Sequence, residues 1–215
     1  TFARVVTDYD GLTQRLATAP GVVRAAPLVK GQVMAASATG TGNAGVEVFG
    51  IRAEDLTQIR RVAAPERQAG DLTRFDEGIA IGWGVARSLG ASVGDRVQLI
   101  SPNGTKTAFG TSPRVNAYEV VYIFTAGRYD IDRTRVYMPF AEAQSYFNRD
   151  GVADELEVMV TNPDAVEDMV DDLLRVAGDR TLVWTWRDAS GGFLRALEVE
   201  DNVMFIILSI LVLIA

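Results

Sequence analysis

Leu156-Glu157-Val158-Met159-Val160 is followed by Asn162-Pro163-Asp164, then by an acidic run, then by Thr181-Leu182-Val183-Trp184. The order reads as strand, capped helix, strand. Asn162 stands where its side chain can accept from the first N–H groups of a helix, and Pro163 fits a first turn that needs no donor. Val166, Met169, Val170, Leu173 and Leu174 fall on one face of a helical period, while Glu167, Asp168, Asp171 and Asp172 fall on the other. Those carboxylates lie where a solvated face puts them, which outweighs reading them as a cation site.

The amino-terminal end has a related order. Leu12, Leu16 and Ala19 at helical spacing predict a short amphipathic helix over residues 8–19, stopped by Pro20-Gly21. Val22–Ala36 reads as extended, Gly40-Thr41-Gly42-Asn43 as a turn, and Val46–Ile51 as a second strand. Between the two ends, Gly78-Ile79-Ala80-Ile81, a short helix through Val85, Ala86 and Leu89 closed by Gly90, and the strands Val97–Ile100 and Tyr118–Phe124 form a strand-rich middle. The fold class is therefore α+β. A discontinuous βαβ-containing subdomain spans 1–51 and 136–190, and residues 52–135 form an inserted β-rich subdomain.

Composition narrows the function. A net charge of −7 argues against nucleic acid, which demands a basic surface to displace counterions. With no Cys and no His, thiol nucleophiles, imidazole bases, disulfides and histidine-ligated metals are excluded. Asp130 and Asp132 resemble a fragment of a calcium loop, but the Gly and the twelfth-position Glu are missing, so a turn between strands is expected there. Gly82-Trp83-Gly84 lacks the third glycine of a dinucleotide fingerprint, and Gly104-Thr105-Lys106-Thr107 lacks the adjacent Gly-Lys of a phosphate loop. No catalytic residue, no metal site and no enzyme activity are expected.

The last stretch, 191–215, is expected to be a juxtamembrane segment and the start of a transmembrane helix cut short. Met204–Ala215 carries no charge and no helix breaker, whereas a span needs roughly 20 apolar residues. Its approach holds Glu198, Glu200 and Asp201 with no Lys or Arg after Arg195; cytoplasmic flanks favour basic residues, so residues 1 to about 200 are expected on the outer side of the membrane. Thr1 is not an initiator methionine, and a chain longer at both ends is expected. Trp184 and Trp186 either sit at the membrane interface or, for Trp184, in the core of its strand. Phe193, Leu197 and Met204 either line a lipid-facing path or pack as an ordinary helix.

Residues 101–116 are the most distinctive candidate. They separate two convincing strands by more than an ordinary hairpin turn of about 2 to 5 residues. Phe109 and Pro113 are stiff and apolar, and Arg114 makes directional bonds, which describes an arm that another protein grips. A mobile solvent loop is the alternative.

Pro20-Gly21-Val22-Val23-Arg24-Ala25-Ala26-Pro27-Leu28, Gly78–Ile81 and Leu89-Gly90-Ala91-Ser92-Val93-Gly94-Asp95-Arg96-Val97 together resemble the extracytoplasmic domain of MacB-like ABC-transporter permeases. Thr107–Arg114 is similar to the hook-bearing loop of the LolC/LolE-type lipoprotein-releasing permeases, and Trp186-Arg187-Asp188 through Glu200–Met204 resembles their entry into a membrane helix. The resemblance implies a bacterial inner-membrane permease with this domain in the periplasm. It also implies a second permease subunit, cytoplasmic ATPase subunits that hydrolyse ATP in place of any cofactor on this chain, and acylated lipoprotein substrates passed to a LolA-like periplasmic carrier. On that resemblance Phe109, Gly110, Thr111, Ser112, Pro113 and Arg114 form the hook that meets the carrier. Phe193, Leu197, Val203 and Met204 lie on the lipoprotein path. The alternative is another MacB-like or FtsX-like permease that exports a peptide or small molecule or regulates cell-wall hydrolases.

Overall fold

The computed structural model describes residues 5–38, 40, 42–107, 110–178 and 181–214. They fall into two compact units, one of residues up to Thr18 with Val22–Met159, the other of Ala19–Gly21 with Val160 onward. The boundaries expected at 51/52 and 135/136 are not where the contacts divide the chain. The strands explain why.

In the first unit, helix α1 (Tyr9–Ala17) buries Leu12 and Leu16. Strand β1 (Val22–Ser37) runs antiparallel to β2 (Asn43–Ile51), from Val29↔Gly50 to Ala36↔Asn43. The short helices α2 (Ala53–Leu56) and α3 (Arg60–Ala63) and strand β3 (Gln68–Gly70) lead to a 3-10 turn at Leu72–Glu77, which Asp71 caps by accepting from the Thr73 N–H. Strand β4 (Ile79–Gly82) then passes into α4 (Trp83–Leu89), which ends on Gly90 in the left-handed region at φ 62°. Strands β5 (Arg96–Thr107) and β6 (Gly110–Phe124) follow, then α5 (Tyr129–Thr134), β7 (Arg135–Pro139), α6 (Phe140–Phe147) and β8 (Glu155–Val160).

Six of these strands close a ring. β2 pairs with β1 and β7, β7 with β4, β4 with β6, β6 with β5, and β5 returns to β1 through Met34↔Ile100 to Ser37↔Val97. β8 pairs with β1 and β3 with β6 as additions to this ring. One face of every ring strand meets in a single cluster, including Val33, Val48, Met138, Ile81, Val120 and Leu99. Helices α4 and α6 complete it, and glycines make the approach of α6 possible: a Cβ on Gly50 would lie 2.2 Å from Ala143 Cβ, and one on Gly31 2.1 Å from the Phe147 ring. The other face of the sheet is buried under α2, α3 and the 3-10 turn at Phe49, Tyr137, Tyr122 and Phe124, but is open at Met34 and Val115; β6 changes parity between Val120 and Tyr122, where its register against β4 shifts. A closed ring leaves no separate inserted subdomain, because residues 52–135 supply four strands of the same sheet.

In the second unit, Asn162 accepts from the Asp164 N–H and opens a 3-10 turn, Pro163–Ala165, that leads into α7 (Val166–Ala177). Leu173 is buried while Glu167, Asp168, Asp171 and Asp172 are exposed, as the periodicity requires. Residues 181–185 form no strand; β-prone residues make a strand only with a ladder partner. Asp130 and Asp132 lie in α5 and not in a turn.

The chain ends in one helix, α8 (Trp186–Ile214). Among the described residues no helix is long and apolar enough to cross a membrane. Charges continue to Asp201, and the uncharged remainder rises only about 20 Å at ~1.5 Å per residue, against a hydrocarbon core of about 30 Å. The residues expected to begin a span, Met204 onward, are helical through Ile214.

Candidate docking ribbon

The segment expected as a long loop is a two-stranded ribbon. β5 and β6 stay paired beyond the ring through Ser101↔Arg114, Thr105↔Ser112, Lys106↔Thr111 and Thr107↔Gly110. β1 leaves β5 at Ile100, so among the described residues no third strand pairs with these outer positions. Between Ser101 and Thr105 the register shifts, and Pro102, Asn103 and Gly104 stand opposite Pro113. Both prolines, which lack an N–H, fall where the ladder is interrupted. Gly104 is required there: a Cβ would come within 1.8 Å of the Ser112 carbonyl oxygen.

Of the predicted hook residues, Ser112 and Pro113 are exposed. Gly110 and Thr111 belong to the strand, and Phe109 lies outside the described residues. Arg114 is not a free cation. Its Nη1 donates to the Ser145 and Tyr146 carbonyls, the latter at 2.8 Å, and its Nη2 to Asn148 Oδ1 at 3.0 Å. These acceptors form the carboxyl end of α6, whose last carbonyls lack intrahelical partners and carry the negative end of the helix dipole. Asn148 caps that end in the left-handed region at φ 56°.

The next residues of the same parity continue the seam. Asn116 Nδ2 donates to Tyr118 Oη at 3.1 Å, and Tyr118 Oη donates to Glu142 Oε1 at 2.7 Å. Burial, followed by the Glu142 bond, pushes the Tyr118 hydroxyl well above its ordinary range. Tyr146, 1 % exposed, is edge-on to Tyr118 and to Phe147, and burial pushes its hydroxyl up to about 12. The ribbon's base is therefore a packed aromatic seam with a guanidinium at its outer end. The partners of Arg114 are not legible in the sequence because they come from a helix some 30 positions away, with only an Asn after an apolar helix to mark the cap.

The second predicted group lies along α8. Leu197, Val203 and Met204 are exposed to 40 %, 48 % and 52 %, and Phe193 occupies the same helix. Leu197 and Met204 are seven positions apart and share a face; Val203 stands beside them. At the start of α8, Asp188 Oδ2 accepts from the Thr185 N–H and hydroxyl, and the Asp188 N–H donates back to Thr185 Oγ1. This reciprocal cap holds the Asp188 carboxyl below its usual range through the Thr185 bonds. Trp186 Nε1 donates to the Pro163 carbonyl at 2.8 Å, and Trp184 is 68 % exposed, which removes the reading of Trp184 as strand core.

A third polar group has no signal in the sequence. Arg24 on β1 is 3 % exposed and pairs through Nη2 with Glu157 on β8, and its Nε and Nη1 have no hydrogen-bond partner among the described residues. Asp55 nearby is buried, which raises its pKa, while Arg24 opposes the rise.

The MacB-like periplasmic core domain profile matches residues 3–176. The chain is 28 % identical over 213 residues to the lipoprotein-releasing system transmembrane protein LolC of Neisseria meningitidis serogroup B, covering 97 % of this chain and 51 % of that one. It is 26 % identical over 208 residues to the LolC of Xylella fastidiosa strain Temecula1, covering 95 % and 49 %. The chain thus spans about half the length of these curated relatives. Among solved structures it resembles the periplasmic region of MacB from Actinobacillus actinomycetemcomitans, with TM-score 0.53 at 9 % identity over 88 % of this chain and 82 % of that one. The extracellular domain of the noncanonic ABC-type transporter YknZ from Gram-positive bacteria gives TM-score 0.52 at 15 % identity over 81 % and 83 %. These two likenesses show the mixed α+β fold.

Proposed function

Because the chain belongs to the MacB-like periplasmic core domain family, we propose that it is the periplasmic domain of an inner-membrane ABC-transporter permease that releases lipoproteins and passes them to a LolA-like carrier. In this reading α8 leads to the membrane, a second permease subunit stands beside this one, and cytoplasmic ATPase subunits hydrolyse ATP. The chain performs no covalent step. Each buried methylene of an acyl chain contributes about 0.8 kcal/mol to membrane retention, so extraction needs energy from elsewhere and an apolar route, for which Phe193, Leu197, Val203 and Met204 are the candidates.

The observation that carries the proposal is the ribbon, with Ser112 and Pro113 exposed beyond the closed ring. The carrier meets the hook, residues Phe109 to Pro113, while Arg114 is committed to α6. The test is calorimetric binding of the full chain to the periplasmic lipoprotein carrier of the same organism, beside the double variant Ser112→Glu, Pro113→Glu. Saturable binding weakened about tenfold or more, equivalent to about 1.4 kcal/mol, is expected. Equal affinity of the variant removes the hook from the interface, and no binding by the parent chain favours a different MacB-like or FtsX-like permease.

A further inference from the structure

We propose that Arg114 is a positioning residue that fixes the direction of the β5–β6 ribbon by closing the carboxyl end of α6, and that it does not itself meet the partner. This rests on the reading of the ribbon as a docking element. A pair of strands with no further strand beside it is marginally stable in water, and beyond Ile100 and Val115 no third strand pairs with these two among the described residues. The direction of such a ribbon is set at its base. There Arg114 reaches three acceptors, two carbonyls of α6 and the Asn148 side chain, and a planar guanidinium is suited to several fixed acceptors at once where an ammonium is not. The contact has consequences for both faces. Alternation along β6 turns Pro113 and Val115 to the side opposite Arg114, and both are exposed, Val115 to 52 %. Fastening Arg114 to α6 thus decides which side of the ribbon faces solvent. α6 is itself immobilised against the ring where Gly31 and Gly50 leave room for it, so Arg114 ties the ribbon to the rigid core.

The chain has no cysteine, so Ser112→Cys on the ribbon and Ala141→Cys on the exposed side of α6 can carry spin labels alone. Distances between the labels in the full chain are measured with Arg114 in place, and again with Arg114→Ala or Arg114→Lys added. A narrow distribution is expected with Arg114, its loss with Arg114→Ala, and only partial recovery with Arg114→Lys. Melting of the ring reports whether each variant is folded, and a narrow distribution in folded Arg114→Ala overturns the proposal. Carrier binding by the same proteins separates this inference from the docking reading. Lost binding with a narrow distribution makes Arg114 a contact residue and also overturns the proposal. A broad distribution with full binding supports the fastening and refutes docking through the ribbon.

Discussion

Gly104→Ala isolates the ribbon from the ring. A Cβ at this position would lie 1.8 Å from the Ser112 carbonyl oxygen, 2.7 Å from the Arg114 nitrogen and 2.8 Å from the Pro113 carbonyl carbon. All three are backbone atoms, so no side-chain rotation relieves the clash. The strands must part by roughly 1.5 Å to restore ordinary contact, which is more than close-packed structure absorbs and enough to break the pairs Thr105↔Ser112, Lys106↔Thr111 and Thr107↔Gly110. At about 1 kcal/mol for each of roughly three hydrogen bonds, local opening becomes easier by about 3 kcal/mol. Amide exchange at residues 105–107 and 110–112 should then accelerate about a hundredfold. From β5 the cluster inside the ring takes Val97 and Leu99, which lie ahead of the register shift, so the ring's melting temperature should move by less than about 2 °C. Hydrogen exchange read by mass spectrometry, with Val97–Ile100 as internal reference, measures both parts. Unchanged exchange in the ribbon, or a fall of the ring's melting temperature by more than about 5 °C, would refute the view that the ribbon is a separate element fixed at its base.

Gly50→Ala puts a methyl group 2.2 Å from Ala143 Cβ; pushing α6 off the ring should cost about 1–3 kcal/mol, read by urea denaturation, and no loss would mean that α6 is not seated against β2. Tyr146 gives an alkaline signature. Its hydroxyl is held protonated up to about 12 in the fold, against about 10 in the unfolded chain, so the folded state keeps a proton that the unfolded state releases. Stability should therefore fall as pH climbs from about 10 to about 12, and Tyr146→Phe should flatten that decline in melting curves taken across the range.

What can be read in the sequence follows the range of the forces involved. Helix α1, strands β1 and β2, α4 with its Gly90 stop, and the apolar face of α7 are written in local periodicity and capping, and the structure has them at those places. Ring closure is invisible there because it depends on pairings such as Val48↔Val136 and Met34↔Ile100, which no local pattern encodes. That is why residues 52–135 read as an insert. The ribbon reads as a loop for a different reason: Pro102, Gly104, Gly110 and Pro113 are turn residues by type, yet three of them crowd into the single register shift and the fourth begins β6. Thr181–Trp184 errs in the opposite direction, with strong strand propensity and no ladder. The segment expected to form a hook is the outer part of the ribbon, but the role of Arg114 depends on a helix end that only the fold brings near.

Closure of the ring also restricts how a partner can bind. A strand with hydrogen-bonded neighbours on both sides offers no edge for another chain to extend, and each of the six ring strands has two neighbours within the ring. The free edges of β5 and β6 are those of the ribbon, and each carries a proline, Pro102 on one strand and Pro113 on the other. Proline removes a donor, so strand addition along the ribbon is discouraged on both sides. A protein that binds there must grip side chains and shape, as with an inserted arm, which favours a reversible contact of modest area over a continuous sheet. Such a contact makes the angle of the arm matter more than its ladder, which places the burden on the fastening between Arg114 and α6.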